Sequence, residues 1–271
     1  MSNAEERVSK FYNTVGWTET DAVTEDARLW EDLRKSARSY VSNCRLRVTR
    51  HVGAGDRILD MASGPIQYPE YLSYSASFAK RYCVDLSAAA LREAERKIGD
   101  HGVYLHGSFF DLDIEDDFFD CTVSLHTIYH IDMDRQEEAV RKLLRVTKPG
   151  RHVIIVYSNP NTITSYLRGV VRWAKRALGG GRSDGAPLDG GSGIYFSAHP
   201  LGWFERFGNV ADVQLLPWRS FGAPVQKRLF PDNWLGERML AVLFRLEDAF
   251  PHFFVRFGQY PMIVLTKRPP A

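Results

Sequence analysis

Two histidines, His126 and His130, stand four residues apart at the end of the apolar run CTVSLH, with Tyr129 between them. An imidazole titrates near neutrality, so either ring can take a proton from a reacting group at working pH. Upstream, two short apolar runs end in carboxylates, Asp60 in RILD and Asp85 in RYCVD, twenty-five residues apart. Asp60 opens the stretch Asp60-Met61-Ala62-Ser63-Gly64-Pro65-Ile66-Gln67, whose small residues and glycine let a backbone turn approach a ligand closely. A carboxylate closing the second strand of such a fold accepts hydrogen bonds from both hydroxyls of a ribose. The plain alternative for Asp85 is a helix cap, but Ser87 is better placed for that. No group of His, Asp and Glu has metal-ligand spacing, and Cys44, Cys83 and Cys121 match no zinc pattern.

These residues need strands to hold them. RILDMA, RYCVD, VYLHGS, CTVSLH and HVIIVYS read as five short strands, separated by helical stretches such as LSAAALREAERKI and RQEEAVRKLLRVT. Short apolar strands alternating with helices of about a dozen residues indicate a doubly wound α/β sheet. Two further candidate strands, DVQLLPW and PMIVLTK, flank an apolar helical region interrupted by Pro251. Ahead of the first strand, Leu29, Leu33, Ala37, Tyr40, Val41, Cys44 and Val48 recur at three- and four-residue steps, which predicts one long amphipathic helix ended by Gly53 and Gly55. The division expected is an N-terminal helical lid over 1–52 and a main domain over 53–271. Inserts are placed at about 159–200, after strand five, and at about 224–257.

The 271 residues are 44% hydrophobic and 25% charged, sufficient for a sizeable core. A net charge of +2 is too mild for a nucleic-acid surface. The opening MSNAEERVSK carries no signal peptide, and no run reaches the roughly 20 apolar residues of a membrane span. An odd number of cysteines fits a reducing compartment, so the expectation is a soluble, cytoplasmic protein, with peripheral membrane contact left open.

Which nucleotide the first loop suits follows from its chemistry. A dinucleotide site wants a third glycine and free N–H groups for the pyrophosphate. Pro65 deletes one donor, and Ile66 and Gln67 crowd the approach. The loop therefore favours a ligand without phosphates, such as an adenosyl group carrying a methionine tail, over a nicotinamide dinucleotide.

At these residues the chain resembles the class I methyltransferases that use S-adenosylmethionine. LDMASGP is similar to their first-strand motif, VDLS to the ribose-binding motif, HGSFFDL to the third-strand motif, DCTVSLHTIYHI to the fourth, and RVTKPGR to the segment before strand five. The likeness runs in order from about Val8 to Ser158. It implies a Rossmann-like, mostly parallel seven-stranded sheet with an antiparallel last strand. It further implies cofactor contacts from Asp60, Ala62, Gly64, Gln67, Asp85, Leu86, Ser108, Phe109, Leu125 and His126. Tyr12 and Trp17, in FYNTVGW, resemble an aromatic lid that closes over the cofactor, with Tyr12 the contact. The turn at Ala62, a glycine in the family, is expected to survive the added methyl group if its φ is negative, and Ile66 to narrow the methionine end. Ser108 stands where the family carries an aspartate facing the adenine amino group.

The stretch from Ser124 to Ile131 is also similar to a pattern of phosphoethanolamine methyltransferases, with His126 and His130 at its two catalytic positions. The resemblance thus implies catalytic roles for His126 and His130, with Tyr129 between them a further candidate; the plain alternative for His130 is a hydrogen bond that fixes the loop. On the acceptor side, the basic helix over 163–178 reads as a solvated face, an anchor for an anionic group, or an interfacial helix. Trp234, Met239, Leu240, Leu243, Phe244, Phe250, Phe253 and Phe254 read as core or as the lining of a pocket for a prenyl or lipid-linked acceptor. His199 reads first as a structural turn histidine. The function expected is methyl transfer to a small-molecule or lipid- or glycan-linked acceptor, oxygen or nitrogen favoured. The alternatives are a non-catalytic protein of the same fold and an NAD(P)-dependent oxidoreductase.

Overall fold

The alternating apolar runs assemble into one seven-stranded sheet in a computed structural model that describes residues 2–20, 23–167, 169 and 194–269. The strands are β1 (Gly55–Met61), β2 (Phe78–Asp85), β3 (Gly102–His106), β4 (Phe119–Leu125), β5 (Thr147–Val156), β6 (Ala211–Arg219) and β7 (Tyr260–Lys267). Their order is β3-β2-β1-β4-β5-β7-β6, parallel except for β7, which runs antiparallel to both its neighbours. Chain direction across the sheet reverses between β1 and β4, which places the ligand crevice at the carboxyl ends of those strands. Leu59, Val84, Val123, Ile154 and Ile263 are wholly buried, as expected of strands covered on both faces.

Helices cover the sheet. The N-terminal segment holds α1 (Asn3–Phe11), continued by a single π-helical turn, then a two-residue ladder of Glu19–Thr20 with Val23–Thr24. Next come α2 (Glu25–Trp30), α3 (Arg38–Leu46) and α4 (Thr49–Val52). The long helix expected here is therefore broken. Glu31 turns extended, with φ −108° and ψ 148°, and its carboxylate reaches Arg219 Nη1 at 2.6 Å and Arg45 Nη2 at 3.4 Å. Two buried arginines compete for that carboxylate more strongly than helical periodicity can hold it, and Leu29 and Leu33 are left exposed.

α5 (Pro69–Leu72) is a single turn. α6 (Ala88–Ile98) is capped by Ser87, whose hydroxyl accepts from the Ala90 amide at 3.2 Å, as anticipated. α7 (Gln136–Val146) buries Ala139, Val140, Leu143 and Leu144 against the sheet. Residues 163–167 begin a helix, but the rest of the expected basic helix and the glycine-rich stretch lie outside the described residues. The second insert forms α8 (Ala223–Leu229), α9 (Trp234–Ala249) and α10 (Pro251–Phe257), with Pro251 marking the interruption. Leu240 and Leu243 join the core, whereas Trp234, Met239, Phe250 and Phe253 are exposed and outside it. No helix among the described residues is long and apolar enough to cross a membrane.

Candidate active site

The loop leaving β1 turns through left-handed backbone three times, at Ala62 (φ 59°), Gly64 (φ 57°) and Ile66 (φ 50°). The φ of Ala62 is positive, yet the turn forms. A left-handed non-glycine residue costs about 1–2 kcal/mol, so neighbouring contacts must hold the turn. Several do. The Gly64 amide donates to Asp85 Oδ2 at 2.8 Å, and the Ser63 amide to the Val84 carbonyl at 3.1 Å. Lys97 on α6 donates to the carbonyls of Pro65 and Ile66 at 2.8 and 3.1 Å. Ile66 is buried beside Cys83, Leu91 and Ala94, beneath the loop, so it does not narrow the cleft as anticipated.

Asp85 closes β2 half-buried. Oδ2 takes the Gly64 amide and Oδ1 the Ser87 amide at 2.8 Å, and burial pushes its carboxyl up to about 6. Leu86 follows it, its carbonyl 3.1 Å from His106 Nε2. Asp60 is engaged instead by Arg81, which also donates to the Tyr71 carbonyl at 2.6 Å. Ser108 donates to Glu5 Oε1, a buried carboxylate delivered by α1. Phe109 is buried in the main core, and the Arg135 guanidinium lies 3.7 Å from the centroid of Phe110.

The N-terminal segment is seated across these strand ends. The Trp17 ring rests on Gly64 and stacks on Tyr12, centroids 4.6 Å apart. Tyr12 donates to Asp26 Oδ1 at 3.3 Å, while Gln67 Nε2 donates to Thr24 Oγ1 and Asp26 Oδ2 at 2.5 and 3.2 Å. Burial raises the Asp26 carboxyl to about 6. Ser87 donates to Asn13 Oδ1 at 2.6 Å. Trp17 Nε1 is buried without a hydrogen-bond partner among the described residues. A buried N–H with no acceptor is costly and marks a place where a ligand acceptor fits.

β4 ends at Leu125, half-buried, and His126 follows in left-handed backbone (φ 58°), its amide tied to the Val156 carbonyl at 3.0 Å. Its ring meets Trp218 and Tyr260 edge-on at 4.8 and 5.1 Å, and Nδ1 is 3.0 Å from the Tyr129 hydroxyl. Burial, then the nearby Arg219, holds this imidazole well below its usual range, so the ring is neutral. His130 donates from Nδ1 to the Tyr195 carbonyl at 2.7 Å and is pushed down to about 4 by burial. His199 stacks flat on Trp203 at 4.5 Å.

The structure thus gathers Tyr12, Gly64, Gln67 and Asp85 around one loop, and His126 with Tyr129 at the next strand end. It also brings in residues the sequence did not single out: Glu5, Asn13 and Asp26 from the lid, and Glu31, Arg45, Arg219 and Tyr260 behind His126. Nothing local marks these residues; only tertiary pairing brings a residue at position 5 to position 108, or 31 to 219.

Residues 59–155 match the model of a methyltransferase domain. The ubiquinone/menaquinone biosynthesis C-methyltransferase UbiE of Pseudomonas paraeruginosa is 30% identical over 118 residues, covering 41% of this chain and 45% of the relative. The similarity therefore spans less than half the length of the curated relatives. The N-methyltransferase NodS of Bradyrhizobium japonicum, solved with S-adenosyl-L-homocysteine, superposes with TM-score 0.56 at 11% identity, covering 99% of this chain and 100% of that one. The geranyl diphosphate C-methyltransferase of Streptomyces coelicolor gives TM-score 0.56 at 14% identity over 98% of both chains.

Proposed function

We propose that this chain, a member of the class I S-adenosylmethionine-dependent methyltransferases, transfers the cofactor's methyl group to an oxygen or nitrogen of a small-molecule or lipid-like acceptor. The observation that carries this reading is the tie between Gly64 and Asp85 at the sheet's reversal point, with His126 just past the end of the adjoining strand. The residues present fit the cofactor. Asp85 would hold the ribose hydroxyls, and the orphaned Trp17 N–H would take the methionine carboxylate. The stacked faces of Tyr12 and Trp17 suit a sulfonium cation. When bound, the cofactor supplies a methyl group activated for in-line attack.

The chain's own residues do the rest. The lid of Tyr12 and Trp17, tied through Asp26 to Gln67 of the loop, excludes water from the loop. The neutral His126 imidazole takes the proton of an acceptor hydroxyl or amine. Tyr129 orients that ring at Nδ1, and His130, tied to the Tyr195 carbonyl, fixes the turn that carries both.

Calorimetry with S-adenosylhomocysteine and with NAD tests the cofactor assignment: the first is expected to bind and the second not. Binding of NAD alone, or of neither, overturns it. A methyl-transfer screen across quinone, sugar, amine and lipid acceptors then identifies the accepting atom.

A further inference from the structure

Eight of the eighteen large apolar residues exposed among the described residues fall between 229 and 253, a concentration the rest of the surface does not share. α9 carries most of them. It buries Gly236, Leu240, Leu243 and Glu247. At about 100° per residue, Leu235, Val242 and Leu246 then form a second stripe facing solvent. Trp234, on the arginine side of the helix's first turn, is 68% exposed, and Phe250 and Phe253, just past the helix end, are 60% and 51% exposed. Scattered apolar residues need no explanation, but a continuous face of this kind marks an interaction surface.

Charge says what the face meets. Arg238 and Arg245, seven residues apart, stand on the outward ridge beside the stripe. The carboxylates of α9 lie elsewhere. Glu247 is turned inward to Arg47 at 2.7 Å, Asp248 is held by Arg47 and Arg50 at 2.8 and 3.3 Å, and Glu237 falls on the far flank. A second copy docked about a two-fold axis would set this arginine ridge against its own image with no carboxylate between. An array of lipid phosphates answers it instead.

The geometry points to α9 and the start of α10 as a face that rests on an anionic bilayer surface. Trp234, the aliphatic stripe and the two phenylalanines enter the boundary between headgroups and acyl chains, and Arg238 and Arg245 bind lipid phosphates. The reverse of α9 backs onto the strand end beside His126, where Glu247 accepts from the Ser220 amide at 3.0 Å. This surface is independent of the methyl-transfer reading.

The test is co-sedimentation of the full chain with vesicles of phosphatidylcholine alone or mixed with phosphatidylglycerol. Binding is expected to the mixed vesicles and not to the neutral ones. Arg238→Ala with Arg245→Ala is expected to weaken it about thirtyfold, the loss for two surface arginines at a charged bilayer. Val242→Glu with Leu246→Glu is expected to abolish binding while far-ultraviolet circular dichroism stays unchanged. If that pair fails to fold, the arginine pair decides alone. The proposal is overturned by equal binding to both vesicle types or by none. Unaltered binding of the arginine variant overturns it too, as does a wild-type dimer in sedimentation velocity that the glutamate pair dissociates.

Discussion

The indole of Trp17 lies so close on Gly64 that a Cβ built there would stand 3.0 Å from Trp17 Cζ2 and 3.1 Å from Cη2. Glycine is favoured twice over, by the ring above it and by a φ of +57°, and the ring weighs more, since Ala62 and Ile66 hold a similar φ nearby. Gly64→Ala is therefore expected to lift Trp17 and Tyr12 from the loop. It should weaken S-adenosylhomocysteine binding about tenfold or more, the left-handed alanine alone costing about 1–2 kcal/mol. Calorimetry beside Trp17→Ala checks this; wild-type affinity in Gly64→Ala would show that the lid is not seated on the loop in the bound state.

Asp26 makes the lid sensitive to pH. Burial raises its carboxyl from 3.8 to about 6, so the folded chain holds a proton that the unfolded chain has released. The associated stability is complete below about pH 4 and is lost as pH rises through about 6. Asp26→Asn keeps one acceptor oxygen, for Gln67, while its amide can donate to the Tyr12 hydroxyl in place of the present bond, and it is expected to stabilise the fold by about 1–2 kcal/mol near neutral pH and hardly at pH 4. Thermal melts across that range read the difference. Asp85 is raised in the same direction, so the slope should flatten without vanishing.

Glu31 sits between Arg219 and Arg45, both nearly inaccessible. Glu31→Gln leaves two buried guanidinium groups without their shared counter-charge. Breaking a buried pair by removing one partner costs about 3–5 kcal/mol. Urea unfolding is expected to show a loss of that size; a loss below 1 kcal/mol would mean that water reaches the cluster.

The proposed function makes His126 the proton acceptor, and asparagine tolerates its left-handed backbone better than most residues. His126→Asn is expected to lower turnover about a hundredfold or more, with cofactor affinity and melting temperature little changed. Because burial keeps the ring neutral, the wild-type rate profile should show no break near the usual histidine range. Normal turnover in the variant would reduce His126 to a wall of the site.

What the sequence made legible is what local chemistry dictates. Apolar runs such as RILDMA and HVIIVYS specify strands because parallel strands are buried on both faces, whereas a strand-end carboxylate is ambiguous from sequence: Asp60 pairs with Arg81, while Asp85 accepts from the Gly64 and Ser87 amides. Boundaries ran long: β2 begins at Phe78 and β5 at Thr147, where sheet pairing recruits polar residues that periodicity assigns to loops. The break at Glu31 was invisible because its cause, Arg219, lies 188 residues away. The outward stripe of α9 misled for the opposite reason, since an apolar residue announces its preference but not which side of the helix finds a partner.

The Glu5–Ser108 hydrogen bond spans 103 positions, and Glu5 rides on a helix that a growing chain completes long before β3 exists. That contact therefore forms only where the strand end at Ser108 is already in place, so this side of the site depends on pairing between distant parts of the chain and not on local sequence.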